Sequence, residues 1–319
     1  MAAGLRAAGF GEVVEVPLAD GGEGTLDALL AARGGARRST TVTGPLGDPV
    51  DAEWGRLPDG TAVIEMAKAS GIGLLPGRKD PLRASSRGTG ELIAAAARAG
   101  ATRILVGVGG SACTDGGLAA VEVLGWSLAG LDVTVACDVG TAFADAATVY
   151  GPQKGASPAQ VGLLTRRLDQ LADVYRDRTG VDVADLVGGG AAGGLAGGLA
   201  AIGARLEPGF DVVATAAGLE AVLEDALLVV TGEGRLDATS FEGKTVGGVL
   251  EWATEVGVPH LGVIAGQITD EAREEVAVRG DVTLLALTDR VWQAGEAFPR
   301  AALLVEESAL ELGRAVLGG

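Results

Sequence analysis

The sequence predicts an α/β protein of more than one domain, and three observations carry that expectation. Short apolar runs, among them Ile104–Val108, Ala226–Val230, Val258–Ala265 and Val282–Leu287, hand over to glycine loops or helical patterns. That alternation is what parallel strands joined by helices produce. The chain has 319 residues, 48% of them hydrophobic, more than one core ordinarily holds. The turn cluster Gly44–Pro49 (GPLGDP) reads as a crossing between domains.

Composition excludes several classes. Net charge is −17, from 25 Lys+Arg against 42 Asp+Glu, and the densest basic clusters are the pairs Arg37-Arg38 and Arg166-Arg167. Such a surface repels nucleic acid and anionic membrane. Aromatics at 3% give no stacking platform. Cys113 and Cys137 have no metal-ligand spacing and suggest no disulfide framework. The lone His260 stands outside any zinc or triad pattern and reads as structural. There is no signal-peptide pattern and no apolar stretch of about 18 residues, so the expectation is a soluble, cytoplasmic protein.

In chain order, Met1–Ala8 reads as the back half of a helix closed by Gly9, followed by a strand over Val13–Val16. A βαβ unit places a strand before that helix, so the chain reads as starting inside a unit. The loop Pro17–Thr25 (PLADGGEGT) then leads to a helix over Leu26–Arg33. Its Asp20 and Glu23, at a strand's carboxyl end, suit a Mg²⁺ ion or a substrate hydroxyl. The plainer role is a solvated turn with Asp20 or Thr25 capping the helix. Thr40–Thr43 is a short strand, and Val50–Arg56 with Thr61–Glu65 make a hairpin around Pro58-Asp59-Gly60. Lys68 and Ser70, just beyond, could contact an acidic substrate, and Lys68 could equally be a solvated surface residue.

Ser85–Gly90 (SSRGTG) opens a helix over Glu91–Ala99, and its hydroxyls, arginine and glycines form an anion-friendly corner. The strand Ile104–Val108 then breaks into Gly109–Gly117 before a helix over Leu118–Leu124. Ser111, Thr114 and Asp115 on that loop could serve a phosphate, a metal or a hydroxyl, or the glycines could simply make a close turn with Thr114 or Asp115 capping the helix. Val133–Asp138 is a strand ending in an acid, and Pro158–Thr179 is a helix capped by Ser157. Gly188–Gly203, dense in Gly and Ala, reads as a loop feeding a closely packed small-residue helix. Strand Ala226–Val230, the loop Thr231–Thr245 and a helix through Trp252 follow. Strand Val258–Ala265, helix Thr269–Val278, strand Val282–Leu287 and helix Ala301–Leu317 finish the chain.

Two familiar motifs nearly fit. Gly107–Ala112 matches the relaxed G-x-G-x-x-A dinucleotide fingerprint, with Asp132 about 20 residues on and Asp138 closing the next strand. A nicotinamide-dependent dehydrogenase is therefore a competing reading, weakened by Thr114–Gly117 where the pyrophosphate helix should start. Gly243-Lys244-Thr245 resembles the tail of a P-loop. It stands too far from its strand, however, and Glu242 places a negative charge among the supposed phosphate donors. Lys244 beside a helix start is still well placed to meet phosphate.

Taken together, the chain resembles the type I glycerate kinase family. The matching stretches, in the family's order, are PLADGGEGT (17–25), VTGPLGDPV (42–50), VIEMAKASGIGLLP (63–76), SSRGTGELI (85–93) and VGVGGSACTDGG (106–117). They continue with ACDV (136–139), YGPQKGA (150–156), GGGAAGGLAGGL (188–199) and TGEGRLDATSFEGKT (231–245). The resemblance implies ATP-dependent phosphorylation of D-glycerate with Mg²⁺ in an interdomain cleft. It implies a Rossmann-like parallel-sheet domain built from both chain ends (1–43 plus 226–319) and an inserted second α/β domain (44–225). Asp20, Asp115 and Asp138 become candidates for orienting the hydroxyl, with Asp20 and Asp138 the metal candidates. Lys154, Arg235 and Lys244 would screen phosphate charge. Lys68, Ser70, Arg87, Gly88, Ser111, Thr114 and Arg235 would meet substrate, Lys68 or Arg87 taking the glycerate carboxylate. Gly21, Gly22, Glu23, Gly24, Thr25, Gly109, Gly110, Gln153, Lys154, Gly232, Glu233 and Gly234 would meet nucleotide. Two departures stand out. The family usually opens with a strand and an APDSFKGS-type loop, whereas this sequence starts within the following helix, as though N-terminally truncated. The family also reads something like NPLLG where this chain has Gly140–Asp145. A truncated homologue that binds ligand without turnover is thus a further reading.

Overall fold

A computed structural model describes residues 1–241 and 243–318, so Glu242 lies outside the described residues. The chain divides into a unit made of Met1–Pro17 with Ala214–Gly319 and a unit made of Leu18–Val213. Both are mixed α/β with parallel-dominated sheets.

The Leu18–Val213 unit carries six strands in sequential order. They are β1 (Ala36–Thr43), β2 (Pro49–Arg56), β3 (Ala62–Glu65), β4 (Arg103–Gly107), β5 (Asp132–Ala136) and β6 (Arg205–Glu207). β1, β2 and β3 pair antiparallel, which includes the expected hairpin (Gly55 opposite Val63). β3 through β6 are parallel. β3 is buried along its whole length, as expected of a strand covered on both faces. The division falls at 17/18 and 213/214, where the sequence suggested 43/44 and 225/226. The cause is β1, which is twice the expected length and pairs with β2 from Ala36 to Thr43, tying the residues before the Gly44 turn to those after it.

This unit's core is mostly aliphatic, with an aromatic group where Phe143, Tyr175 and Trp126 meet. The Phe143 and Tyr175 rings lie edge to face at 6.0 Å, and both are fully buried. The Gly/Ala-rich stretch packs here as helix Leu195–Ala201, and β-carbons at Gly194 or Gly197 would collide with the Phe143 ring. Helix Pro158–Thr179 opens with the anticipated Ser157 cap, completed into a capping box by Gln160.

In the other unit, β7 (Leu228–Thr231), β9 (His260–Ala265) and β11 (Val282–Ala286) form a parallel sheet in the order β11-β9-β7. β8 (Arg235–Leu236) and β10 (Gln267–Ile268) make a short parallel pair beyond its carboxyl ends. Helix Ala2–Ala8 lies on helix Ala301–Gly318, where Gly4 lets the two backbones touch. The strand expected over Val13–Val16 does not form. Val13 packs into the cluster around Leu5 and Ile264, Val14 is exposed, and the Arg6 guanidinium donates to the Val13 carbonyl and to Glu15. A valine run becomes a strand only with a ladder partner, and none pairs with it among the described residues. His260 opens β9 with its side chain exposed, and both cysteines are free thiols. No helix among the described residues is long and apolar enough to cross a membrane.

Candidate functional site

The carboxyl ends of parallel strands are where α/β folds gather ligands. In the Leu18–Val213 unit, the ends of β4 and β5 border a cavity of about 540 Å³. Three loops furnish its polar wall: Asp20–Gly22, Gly109–Ser111 after β4, and Asp138 after β5, with Gln153 and Tyr150 across from them. Ala191 and Ala192 close one side, and Ala192 holds a left-handed φ of 53°. Such a conformation costs a non-glycine residue roughly 1–2 kcal/mol and tends to survive at ligand sites.

Glycine is required where the first two loops touch backbone to backbone. A β-carbon on Gly107 would sit 2.5 Å from the Gly21 carbonyl oxygen, and one on Gly109 would sit 2.8 Å from the Gly22 α-carbon. Any side chain at either position would push the Asp20 loop off the strand end.

Asp138 is the most perturbed acid of the cavity. Its Oδ1 accepts the backbone N–H groups of Gly209 (2.6 Å) and Phe210 (3.3 Å), at the start of helix Gly209–Ala217. Burial nevertheless pushes its carboxyl up to about 6, with the nearby Asp20 charge adding to the rise and the Gly209 contact opposing it. A carboxyl poised there can take or give a proton near neutrality. Asp20 accepts the Gly22 N–H at 3.2 Å.

Several other candidates have structural partners. Asp115 faces away from this cavity: its Oδ2 accepts both the amide and hydroxyl of Ser86, each at 2.8 Å, and its Oδ1 accepts Gly117 N–H. The Ser86 hydroxyl also takes the Ala120 N–H, so the helix start behind the loop is capped from within. Ser70 is fully buried, accepting from the Thr89 hydroxyl, and Gly88 packs against the Thr43 carbonyl. Lys154 is 3% exposed and donates to the Cys113 carbonyl at 2.5 Å, and burial lowers its pKa. Arg87 pairs with Glu91 and Lys68 lies 3.6 Å from Glu65. Thr114 is buried with an unpartnered hydroxyl. Thr25 caps back on the Gly22 carbonyl, and the Glu23 carboxylate lies next to Gly110.

In the other unit, Gly232, Glu233 and Gly234 follow β7, and the Glu233 and Gly234 carbonyls receive the Gly266 and Gln267 N–H groups. Arg235 is exposed 3.9 Å from Asp237, and Lys244 donates to Thr239. The dinucleotide fingerprint does not fold as one. β4 ends at Gly107 and the next helix starts only at Leu118, so no helix terminus lies behind Gly109–Ala112 to receive a pyrophosphate.

One residue outside the expected set shapes the site. Glu65, the last residue of β3 and 2% exposed, accepts the N–H groups of Gly24 and Leu26 at 2.9 Å each. It caps helix Thr25–Arg33 from across the sheet and so anchors the loop that carries Asp20. A lone acid ending an otherwise apolar strand is the only signal the sequence offers for it. Glu65→Ala is expected to cost about 1.5–3 kcal/mol, whereas Glu65→Gln, which keeps an acceptor, costs clearly less. Thermal unfolding of the two variants checks this.

The fold and this carboxylate-bearing cavity are those of an α/β protein with a pocket of small-molecule size. The comparisons with known proteins narrow that class. The model of the Glycerate kinase family matches residues 1–133 and 126–317, and this chain belongs to that family. It is 44% identical over 296 residues to the glycerate 2-kinase of Escherichia coli, covering 82% of this chain and 77% of that one. It is 38% identical over 338 residues to the glycerate kinase of Bacillus subtilis, with 95% and 88% covered. A crystal structure assigned to glycerate kinase 2 of Salmonella typhimurium LT2 superimposes with a TM-score of 0.84 at 34% identity, covering 99% of this chain and 92% of that one.

Proposed function

We propose that this chain is a cytoplasmic kinase that transfers the γ-phosphoryl group of ATP to a hydroxyl of D-glycerate. The observation that supports the reading best is the cavity at the ends of β4 and β5, where burial raises the Asp138 carboxyl to about 6 beside Asp20. Its size suits a small hydroxy acid with room for a phosphoryl group. The glycerate hydroxyl attacks the γ-phosphorus, the bond to the ADP oxygen breaks, and the hydroxyl proton passes to the Asp138 carboxylate. Asp138 can receive it because Gly209 and Phe210 fix one of its oxygens, leaving the other for the substrate. Ser111 positions the substrate, Gly109 and Gly110 face the phosphate groups of the nucleotide beside it, and the buried Glu65 keeps the Asp20 loop in register with them.

Among the described residues no three His, Cys, Asp or Glu side chains come together as a metal cage. Mg²⁺ does not need one, since it usually keeps waters and takes one or two carboxylates plus phosphate oxygens. Asp20 and Asp138 fit that donor set, and their mutual repulsion is what a divalent cation would relieve. When bound, the ion would neutralise phosphate charge. Arg235 and Lys244 remain proposed contacts for phosphate groups, with Gly232, Glu233 and Gly234 beside them in the chain.

The test is ATP consumption by the 319-residue chain with D-glycerate and Mg²⁺. Turnover of about 1–100 per second is expected. A folded protein that shows no glycerate-dependent ATP consumption would overturn the proposal.

A further inference from the structure

D-Glycerate carries a carboxylate beside its hydroxyls, and the cavity at the ends of β4 and β5 has to hold that charge. Among the described residues lining it, Asp20 and Asp138 are the charged ones, and no lysine, arginine or histidine joins them. The cations that the sequence offered are engaged elsewhere. Arg87 pairs with Glu91, Lys68 lies against the buried Glu65, and the Lys154 ammonium is buried on the Cys113 carbonyl. Like charges repel more strongly in a partly enclosed cleft than in water. The substrate therefore turns its carboxylate away from the two acids, towards a neutral donor elsewhere on the wall.

Gln153 suits that place. It lines the cavity from the turn Pro152–Lys154, and its carboxamide has no hydrogen-bond partner among the described residues. Tyr150, also on the wall, already shares a hydrogen with Thr141 at 2.7 Å. The main chain of Gln153 is held from behind. The Lys79 ammonium donates to its carbonyl at 3.1 Å, and the Lys79 stem lies along Gly155, which closes the turn at a left-handed φ of 91°. The backbone is thus fixed while the carboxamide, with its two N–H donors, is left for a ligand.

We propose that Gln153 takes the glycerate carboxylate through its carboxamide N–H groups and so fixes which end of the substrate faces Asp138. Gln153 is then a substrate contact in place of the nucleotide contact that the family resemblance implied. The identity of the ligand rests on the kinase reading; the choice of Gln153 rests on the cavity wall.

Isothermal titration of the full chain without nucleotide separates the two. D-Glycerate should bind the parent, and Gln153→Leu should weaken it about 10–100-fold, as expected for losing a hydrogen bond to a charged group. Gln153→Glu should reverse the ligand preference. Its carboxylate repels glycerate but can accept the amide N–H groups of D-glyceramide, so the neutral amide should bind this variant more tightly than glycerate does. Retained amide binding also shows that the variant is folded. An unchanged glycerate Kd in Gln153→Leu would overturn the proposal, and a loss confined to Lys79→Met would move the carboxylate to that ammonium instead. Equal weakening of both ligands in Gln153→Glu would overturn it too. A parent that binds no glycerate removes this inference and the kinase reading together, whereas Gln153-dependent binding without ATP consumption removes the kinase reading alone.

Discussion

Asp138→Asn is expected to lower turnover with D-glycerate and ATP about 10²–10⁴-fold, the range associated with loss of a positioned proton acceptor. The substitution is close to isosteric. An asparagine carbonyl oxygen can still accept the Gly209 and Phe210 N–H groups, so the start of helix Gly209–Ala217 keeps its partner and the variant should fold. The ability to take a proton is lost, together with the negative charge that would help hold Mg²⁺, so parent and variant are compared at saturating Mg²⁺. The parent protein should therefore show an acidic limb in its kcat/KM profile near 6, where the carboxyl becomes protonated and stops accepting. The residual activity of the variant should lack that limb. A loss smaller than tenfold, or a limb that survives the substitution, would remove Asp138 from the proton-transfer step.

The same shift fixes the sign of a stability effect. The Asp138 pKa is raised on folding, from 3.8 to about 6, so the native state binds the extra proton in that window. Its favourable contribution is fully present below 3.8 and is lost as pH rises through about 6. The asparagine of the variant has no titrating proton to lose. The melting temperature of the variant relative to the parent should therefore climb between those two pH values and then level off. An active-site acid that destabilises the folded state when ionised is the expected trade between function and stability.

What the sequence made legible follows from what is local. The runs Ile104–Val108, Val133–Asp138, Ala226–Val230, Val258–Ala265 and Val282–Leu287 all contain strands, because a doubly covered parallel strand needs a continuous apolar run and little else. The Ser157 cap was readable for the same reason. Val13–Val16 failed because strand formation depends on a partner that local sequence does not reveal. The first half of β1 leaves no apolar signal because Ala36–Ser39 is exposed and mostly polar, an edge strand held by pairing with β2 and not by burial. β6, β8 and β10 have only two or three residues each, too few for a periodic signal.

The site divides along the same line. Asp138 and the Gly109–Ser111 loop come together because strand ends in a parallel sheet converge, a rule that sequence order expresses, whereas Asp20 follows no strand and reaches them because its loop packs on Gly107 and Gly109. Asp115 and Ser70 look equally ligand-like in the sequence. Only the fold reveals that Ser86 and Thr89 occupy them. Lys154 misleads in a different way, since lysine is rarely buried, and here its ammonium is committed to the Cys113 carbonyl. Glu65 carries no local signal of its role, because its two partners lie 41 and 39 residues away.

Phe143→Ala is expected to destabilise the Leu18–Val213 unit by about 3–5 kcal/mol, the usual cost of emptying a fully buried aromatic site. Phe143 stands in the segment Gly140–Asp145, and its ring is the surface on which the glycine-rich segment closes. β-carbons at Gly194 and Gly116 would approach it to 2.8 and 3.0 Å, and Tyr175 meets its edge. The void cannot collapse easily, because the glycine-rich segment already rests on backbone: Gly194 on the Gly116 α-carbon, and Gly198 one turn on upon the Gly116 carbonyl oxygen. Thermal unfolding should show a fall of roughly 2–4 °C for each kcal/mol in a unit of this size. Phe143→Leu, which refills most of the volume, should recover more than half of the loss. The functional consequence is separable from stability. Ala191 and Ala192 line the cavity at the ends of β4 and β5 on the same segment, so below its melting temperature Phe143→Ala should raise KM for glycerate more than it lowers kcat. An unchanged melting temperature would refute the packing argument, and a kcat loss at constant KM would show that the segment acts on the reacting groups themselves.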